Sequence, residues 1–249
     1  MPKDPITSSD NQWLKRLRRA AERHEEEIVL EGPKQIADAL ERGLRPIAIL
    51  VHESREAPPG TDDRTTFRVG DRPFRTIADT ATSQGIVALF ERPRHELSSI
   101  LDTPAPVVAL DGVQDPGNVG AIVRLAAAFD LAGVVALSGT ADPFSPRALR
   151  GSAGAALTTP VALVPHDAFL GECIRKGREI VAAIPGAPPI GDVTLPRDAV
   201  LVLGSEGRGV ADPIRDVATP VSIPTSVRVE SLNVAAAAAI IIWELARTR

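Results

Sequence analysis

Five polar side chains in the second half of the sequence have the types and spacing to do chemistry. They are Asn118 and Arg124 in one stretch, Glu206 in a glycine-rich stretch, and Ser231 and Asn233 ahead of an alanine-rich run. An arginine fork grips a phosphate or carboxylate at two points, an asparagine both donates and accepts, and a glutamate accepts or carries a proton. Each stretch also has a plain structural reading. Asp115-Pro116-Gly117-Asn118 reads as a turn with Asn118 as N-cap of the helix that follows; Val119, Ile122, Val123 and Ala126 supply that helix's apolar face. Arg124 then falls on another side, about a turn and a half beyond Asn118. Leu203-Gly204-Ser205-Glu206-Gly207-Arg208-Gly209 holds three glycines that permit positive φ and close backbone approach, in neither dinucleotide-fingerprint nor P-loop spacing. Glu206 inside it would repel a phosphate and so favours a less anionic ligand. In Glu230-Ser231-Leu232-Asn233, Ser231 or Asn233 can cap the next helix. Taken singly, each stretch is accounted for by capping and turn formation.

The elements that must position these residues read as alternating strands and helices. Val107–Leu110, Val134–Leu137, Val161–Val164, Ile180–Ala183, Val200–Leu203 and Val221–Ile223 are apolar but for Ser222 and largely β-branched, and continuous apolar runs of this kind suit a parallel sheet covered on both faces. Helices fall between them, the last predicted over Leu232–Arg247. The second half is therefore a helix-covered α/β domain, and ligands of such domains bind at the carboxyl ends of the strands, where the candidate loops lie. In the first half, a helix is expected over Trp13–Arg23, strands over Ile28–Leu30, Ile47–Val51, Phe67–Val69 and Gly85–Phe90, and helices over Pro33–Glu41 and near Asp71–Thr80, with Arg55–Arg64 as a loop. Breaker-rich stretches between residues 92 and 105 predict a domain boundary there, giving domains 1–100 and 101–249.

Composition narrows the class. With one cysteine, Cys173, in 249 residues, neither an intrachain disulfide nor a zinc cluster of cysteines can form, which fits a reducing cytoplasm. The first residues lack the apolar core of a signal peptide, and the longest apolar run, Val234–Trp243, is too short to span a bilayer. No membrane association and no metal are expected. The net charge of −4 argues against a surface that binds nucleic acid throughout. Lys15, Arg16, Arg18, Arg19 and Arg23 nevertheless cluster near the start, just before Glu25-Glu26-Glu27, either to meet phosphate or as the solvated face of a first helix.

In combination and in this order, LDGVQDPGNVGAIVRLAAAFDLAGVVAL, LVLGSEGRGV and VSIPTSVRVESLNVAAAAAIIIWEL resemble the SpoU/TrmH branch of the SPOUT RNA methyltransferases, over most of residues 107–247. The first half, through IVLEGPKQIADAL and SQGIVALF, more loosely resembles the small α/β, ribosomal-protein-like substrate-recognition domain that often precedes this catalytic domain. The resemblance implies a parallel-sheet domain with a deep trefoil knot, which periodicity alone would never suggest. It implies S-adenosylmethionine held by Leu203, Gly204, Ile223, Leu232 and Asn233, with Gly204 bare so that the ligand can approach. It implies transfer of the methyl group to a ribose 2′-hydroxyl of RNA, ribosomal RNA above transfer RNA, by a cytoplasmic homodimer. Arg124 matches the family's catalytic arginine, and Asn118, Glu206, Ser231 and Asn233 match its other polar positions. A guanidinium gives up its proton only at great cost, so Arg124 acts either on the hydroxyl or by forking onto the neighbouring phosphate. RNA affinity would come from local patches such as Arg16, Arg18, Arg19, Arg147 and Arg150. Two other readings are a catalytically degenerate RNA-binding or ribosome-associated module, against which the five polar residues stand together, and a nucleotide-dependent α/β enzyme, against which the missing fingerprint stands.

Overall fold

Leu14, Leu17 and Ala20 recur at helical spacing and are all buried, so the helix that carries them, α1 (Gln12–Arg23), lays one face on a sheet and turns its cations outward. The computed structural model describes residues 4–23, 26–78, 84–226, 228–229 and 231–247. Within these the chain divides into two compact units, Met1–Pro93 with Phe144–Leu149, and Arg94–Pro143 with Arg150–Arg249.

In the first unit, α1 is followed by β1 (Glu27–Glu31), α2 (Pro33–Glu41), β2 (Pro46–His52), β3 (Thr66–Val69), α3 (Asp71–Phe74) and β4 (Ile86–Glu91). The strands form a sheet in the order β1-β4-β2-β3, with β4 antiparallel to both neighbours. Ile86, Val87, Ala88, Leu89 and Phe90 of β4 are all buried, as a central strand covered on both faces requires. The helix expected near Asp71–Thr80 is the single turn α3: the Thr76 hydroxyl donates back to the Pro73 carbonyl at 2.7 Å and competes with the helical ladder. Thr80 lies outside the described residues. Among the cations of α1, Arg16 pairs with Glu27, Lys15 with Asp10 at 3.0 Å, and Arg18 donates to the Ser9 carbonyl at 2.8 Å.

The second unit carries α4 (Leu97–Asp102), β5 (Val107–Asp111), α5 (Pro116–Ala128), β6 (Gly133–Leu137), α6 (Pro146–Gly151, shared with the first unit's segment), β7 (Val161–Val164), α7 (His166–Lys176), β8 (Ile180–Ala183), β9 (Val200–Gly204), α8 (Asp212–Arg215), β10 (Thr219–Val221) and α9 (Val234–Arg247). The six strands run parallel in the order β10-β8-β9-β5-β6-β7. Every residue of β5 and β6 is buried, which accounts for their unbroken apolar sequence. The last strand is displaced from the expected Val221–Ile223. Residues 219–221 pair with 181–183, and Ser222 instead bonds the segment after β8. Pro220 is tolerated because β10 is an edge strand.

α4 falls inside the stretch read as linker, and the end of that stretch is pinned. Buried Arg178 donates to the carbonyls of Leu101, Thr103 and Ala105 at 2.6, 3.0 and 2.7 Å, with Asp198 at 3.6 Å from its Nε. Burial pulls this guanidinium below its ordinary pKa, opposed by Asp198.

Candidate active site

Three adjacent strands, β8, β9 and β10, end side by side, and the segments that leave them enclose a cleft of about 470 Å³ with the start of α9. Leu203, Gly204, Ile223 and Leu232 line it, as do Ser205, Glu206 and Ser231. The volume lies in the range of pockets for small organic ligands, roughly 300–1,000 Å³. Ala183, Ile184, Pro185 and Gly186 form another wall. The sequence reading passed over them, although the rule that ligands bind at carboxyl ends of parallel strands applies to Ile180–Ala183 as well.

The segment after β9 is a tight turn. Gly209 donates its N–H to the Ser205 carbonyl at 2.9 Å, the Arg208 N–H reaches the Ser205 hydroxyl at 3.1 Å, and Gly209 has φ +69°. Gly204 stands where the chain passes its own return limb. A Cβ there would lie 2.1 Å from the Gly209 carbonyl carbon and 2.3 Å from the Val210 nitrogen. The expectation gave ligand approach as the reason for glycine at this position; the structure supplies a nearer one, the crossing of two backbone segments.

Asn118, Glu206 and Asn233 meet at one rim. Asn118 Nδ2 donates to Glu206 Oε1 at 2.9 Å, and Asn233 Nδ2 donates to Asn118 Oδ1 at 3.2 Å. Asn233 Oδ1 accepts the N–H groups of Ala235 and Ala236 at 3.0 and 3.3 Å, so Asn233 is the N-cap and α9 begins at Val234 rather than Leu232. These contacts fix both amide orientations: the helix end needs the Asn233 oxygen, and the carboxylate needs the Asn118 nitrogen. Asn118 itself is not a cap. Asp115 caps α5, accepting from the Gly117 and Asn118 N–H groups at 2.7 and 3.0 Å, with Pro116 in the first turn. The Asp115 carboxylate, placed ahead of the first turn, thus takes the orphan N–H groups and leaves the Asn118 amide to bond Glu206. The Glu206 carboxylate is thereby tied through Asn118 to the first turn of α5, and through Asn118 and Asn233 to the head of α9.

Arg124 is exposed on α5 and does not line the cleft; among the described residues its side chain has no hydrogen bond or ion pair. The apolar face expected for α5 is buried at Val119, Ile122, Val123 and Ala126. Ser231 is exposed at the cleft, and Glu230 lies outside the described residues. Asn233 is not itself a lining residue, although Leu232 and Val234 beside it are.

A parallel sheet whose carboxyl-end loops enclose a cleft and gather polar side chains at its rim is the arrangement of an α/β enzyme with a small organic ligand. The chain belongs to the SpoU rRNA Methylase family, whose model matches residues 105–243. It is 29% identical over 247 residues to the 23S rRNA (guanosine(2553)-2′-O)-methyltransferase RlmP of Bacillus subtilis, covering 96% of this chain and 98% of that protein. It is 33% identical over 254 residues to an uncharacterized tRNA/rRNA methyltransferase of Mycobacterium tuberculosis, covering 93% of this chain and 78% of the relative. The fold superposes on that of an AdoMet-bound rRNA methyltransferase from Sinorhizobium meliloti with a TM-score of 0.84, 26% identity and 98% of each chain covered.

Proposed function

We propose that this protein transfers a methyl group from S-adenosylmethionine to a ribose 2′-hydroxyl of ribosomal RNA. The observation that carries the reading is the cleft over β8, β9 and β10, walled by Leu203, Gly204, Ile223 and Leu232, in a chain of the SpoU rRNA Methylase family. The cleft's chemistry fits the cofactor. Its walls mix apolar side chains and backbone with the hydroxyls of Ser205, Thr225 and Ser231, and among the described residues it holds one carboxylate, Glu206, and one guanidinium, Arg208, which suits a ligand of mixed charge such as a zwitterionic amino acid group. When bound, S-adenosylmethionine supplies an electrophilic methyl group whose departure leaves a neutral thioether, so no general acid is required. The protein's work is to align the hydroxyl, take its proton and exclude water. Arg124 is assigned that alignment, forking onto the phosphate beside the reacting ribose. The Asn118–Glu206–Asn233 chain holds the turn and the head of α9 in register, and Ser231 offers a hydroxyl at the cleft mouth.

The same reading assigns residues 1–100 to substrate recognition and 101–249 to catalysis, and places the enzyme in the cytoplasm with its RNA. It includes a deep trefoil knot in the second unit. Support comes from Ser222, which is clasped by Pro188 and Ala187 carbonyls at 2.8 and 2.6 Å while its own carbonyl takes the Ile190 N–H at 2.9 Å. Pulling the chain from both ends in an optical trap tests this. A knotted chain reaches a contour length shorter than its residue count allows; the full length would refute the knot. It also includes a homodimer, supported by Ile240 and Trp243 of α9, 43% and 56% exposed.

Function is tested by mixing the protein with tritiated S-adenosylmethionine and unmodified ribosomal RNA or subunits, then mapping ribose methylation by sequencing. Stoichiometric label at a 2′-oxygen is expected. RNA binding with neither transfer nor cofactor binding would overturn the reading in favour of a degenerate RNA-binding module.

A further inference from the structure

Asp111 closes β5 and is buried, yet both of its carboxylate oxygens are engaged, each by a different element. Oδ1 lies 2.7 Å from Nε2 of His166, the first residue of α7, and Oδ2 accepts the N–H of Ala211 at 2.7 Å. Ala211 is where the return limb of the glycine-rich turn leaves for α8. The outgoing limb starts at Gly204, the register partner of Asp111 across the β5–β9 ladder. Asp111 thus holds one limb through its backbone strand and the other through its side chain, on either side of the 204–210 crossing. A buried carboxylate stands only while its oxygens are hydrogen-bonded, and His166 supplies the second partner. The carboxylate side chain is 7% exposed and the imidazole 31%, so the histidine covers the acid from the solvent side.

We propose that Asp111 and His166 are a positioning pair for the cofactor turn: they set the return limb 209–211 against the cleft and thereby the affinity for S-adenosylmethionine, without touching it. The inference rests on the function proposed above. Neither residue lines the cleft, and neither belongs to the Asn118–Glu206–Asn233 chain, so their influence runs through the backbone of the turn. Without the imidazole, Oδ1 is left unpaired, the carboxylate is drawn to water, and its grip on the Ala211 N–H is lost. Glutamine at position 166 restores an N–H donor of similar reach, whereas phenylalanine restores only the bulk.

The test is isothermal titration of S-adenosylmethionine into wild type, His166→Ala, His166→Phe and His166→Gln, with initial rates on ribosomal RNA. His166→Ala and His166→Phe are expected to weaken cofactor binding about tenfold and raise its KM in step, with kcat and the KM for RNA within about twofold; His166→Gln is expected to stay within about threefold of wild type. Cys173→Ala, a cavity change in the same helix α7, controls for destabilisation alone and is expected to lower the melting temperature with cofactor affinity intact. Unchanged affinity in His166→Phe, glutamine binding no better than phenylalanine, or equal weakening in Cys173→Ala would each overturn the proposal. A wild type that binds no S-adenosylmethionine would instead bring down the proposed function, and this inference with it.

Discussion

Arg124 shows what a single side chain reveals when its surroundings leave it alone. It is exposed, outside the cleft, and uncommitted among the described residues, so its charge is available to a substrate rather than to the fold. If it aligns the ribose through a phosphate fork, Arg124→Ala lowers kcat by at least about a hundredfold with S-adenosylmethionine affinity unchanged, and Arg124→Lys, lacking the planar fork, recovers little. Single-turnover rates beside calorimetric Kd values check this; near-normal turnover in the alanine variant removes Arg124 from the mechanism. Cys173 is the opposite case, fully buried, its thiol pushed up to about 12 by burial from an ordinary 9.0. The folded chain keeps a proton that the unfolded chain releases, so this residue's contribution to stability falls as pH rises above about 9 and stops falling near 12. The stability gap between wild type and Cys173→Ala therefore narrows from about pH 8 to about pH 11 in denaturant titrations. A gap that stays constant would refute the burial account.

At the scale of elements, the site depends on where helices begin and where loops cross. Asn233 both caps α9 and donates to Asn118, and the two duties separate by substitution. Asn233→Ala loses both and costs about 1 kcal/mol of stability. Asn233→Asp keeps an oxygen for the helix end but no donor for Asn118, so thermal stability is retained while turnover falls. Equal turnover in wild type and Asn233→Asp would mean that the rim chain has no functional weight. The crossing at Gly204 makes a sharper claim. Its alanine variant must part residues 204 and 209–210, because a Cβ 2.1 Å from a backbone carbon is impossible. We expect Gly204→Ala to lose at least about tenfold in cofactor affinity and to melt at a lower temperature with its helical content intact. Wild-type binding and melting in that variant would show that the crossing yields at no cost.

For the whole molecule, the balance of −4 sets how it can meet RNA. Cations on α1 are partly spent on Glu27, Asp10 and a backbone carbonyl, so phosphate contact rests on a few local groups, and affinity is expected to drop steeply with salt. Assembly is read from α9, where Trp243 is more than half exposed and meets Phe129 edge-on with centroids 5.9 Å apart. If that face pairs with a second copy, Trp243→Asp converts a dimer into a monomer in light scattering with its circular dichroism unchanged; a dimer that survives places the interface elsewhere.

The alternation of buried strands and helices, the parallel sheet and the three stretches that carry the polar residues were legible in the sequence, because a strand covered on both faces must be continuously apolar and a helix must repeat its apolar side every turn. Val107–Asp111, Val161–Val164 and Ile180–Ala183 are read almost to the residue on that ground alone. Capping was half legible: Asp115, Asn118, Ser231 and Asn233 are all competent caps, and only the folded chain decides that Asp115 and Asn233 take the helix ends. Tertiary structure alone decided that Asn118 and Glu206, distant in sequence, share a hydrogen bond, that Gly204 is bare for the sake of its own chain, and that Asp111 is clasped by His166 and Ala211. Local pattern records how each element meets solvent and core; which loops those elements bring face to face is fixed by strand order, and β10-β8-β9-β5-β6-β7 is written in no single stretch of residues.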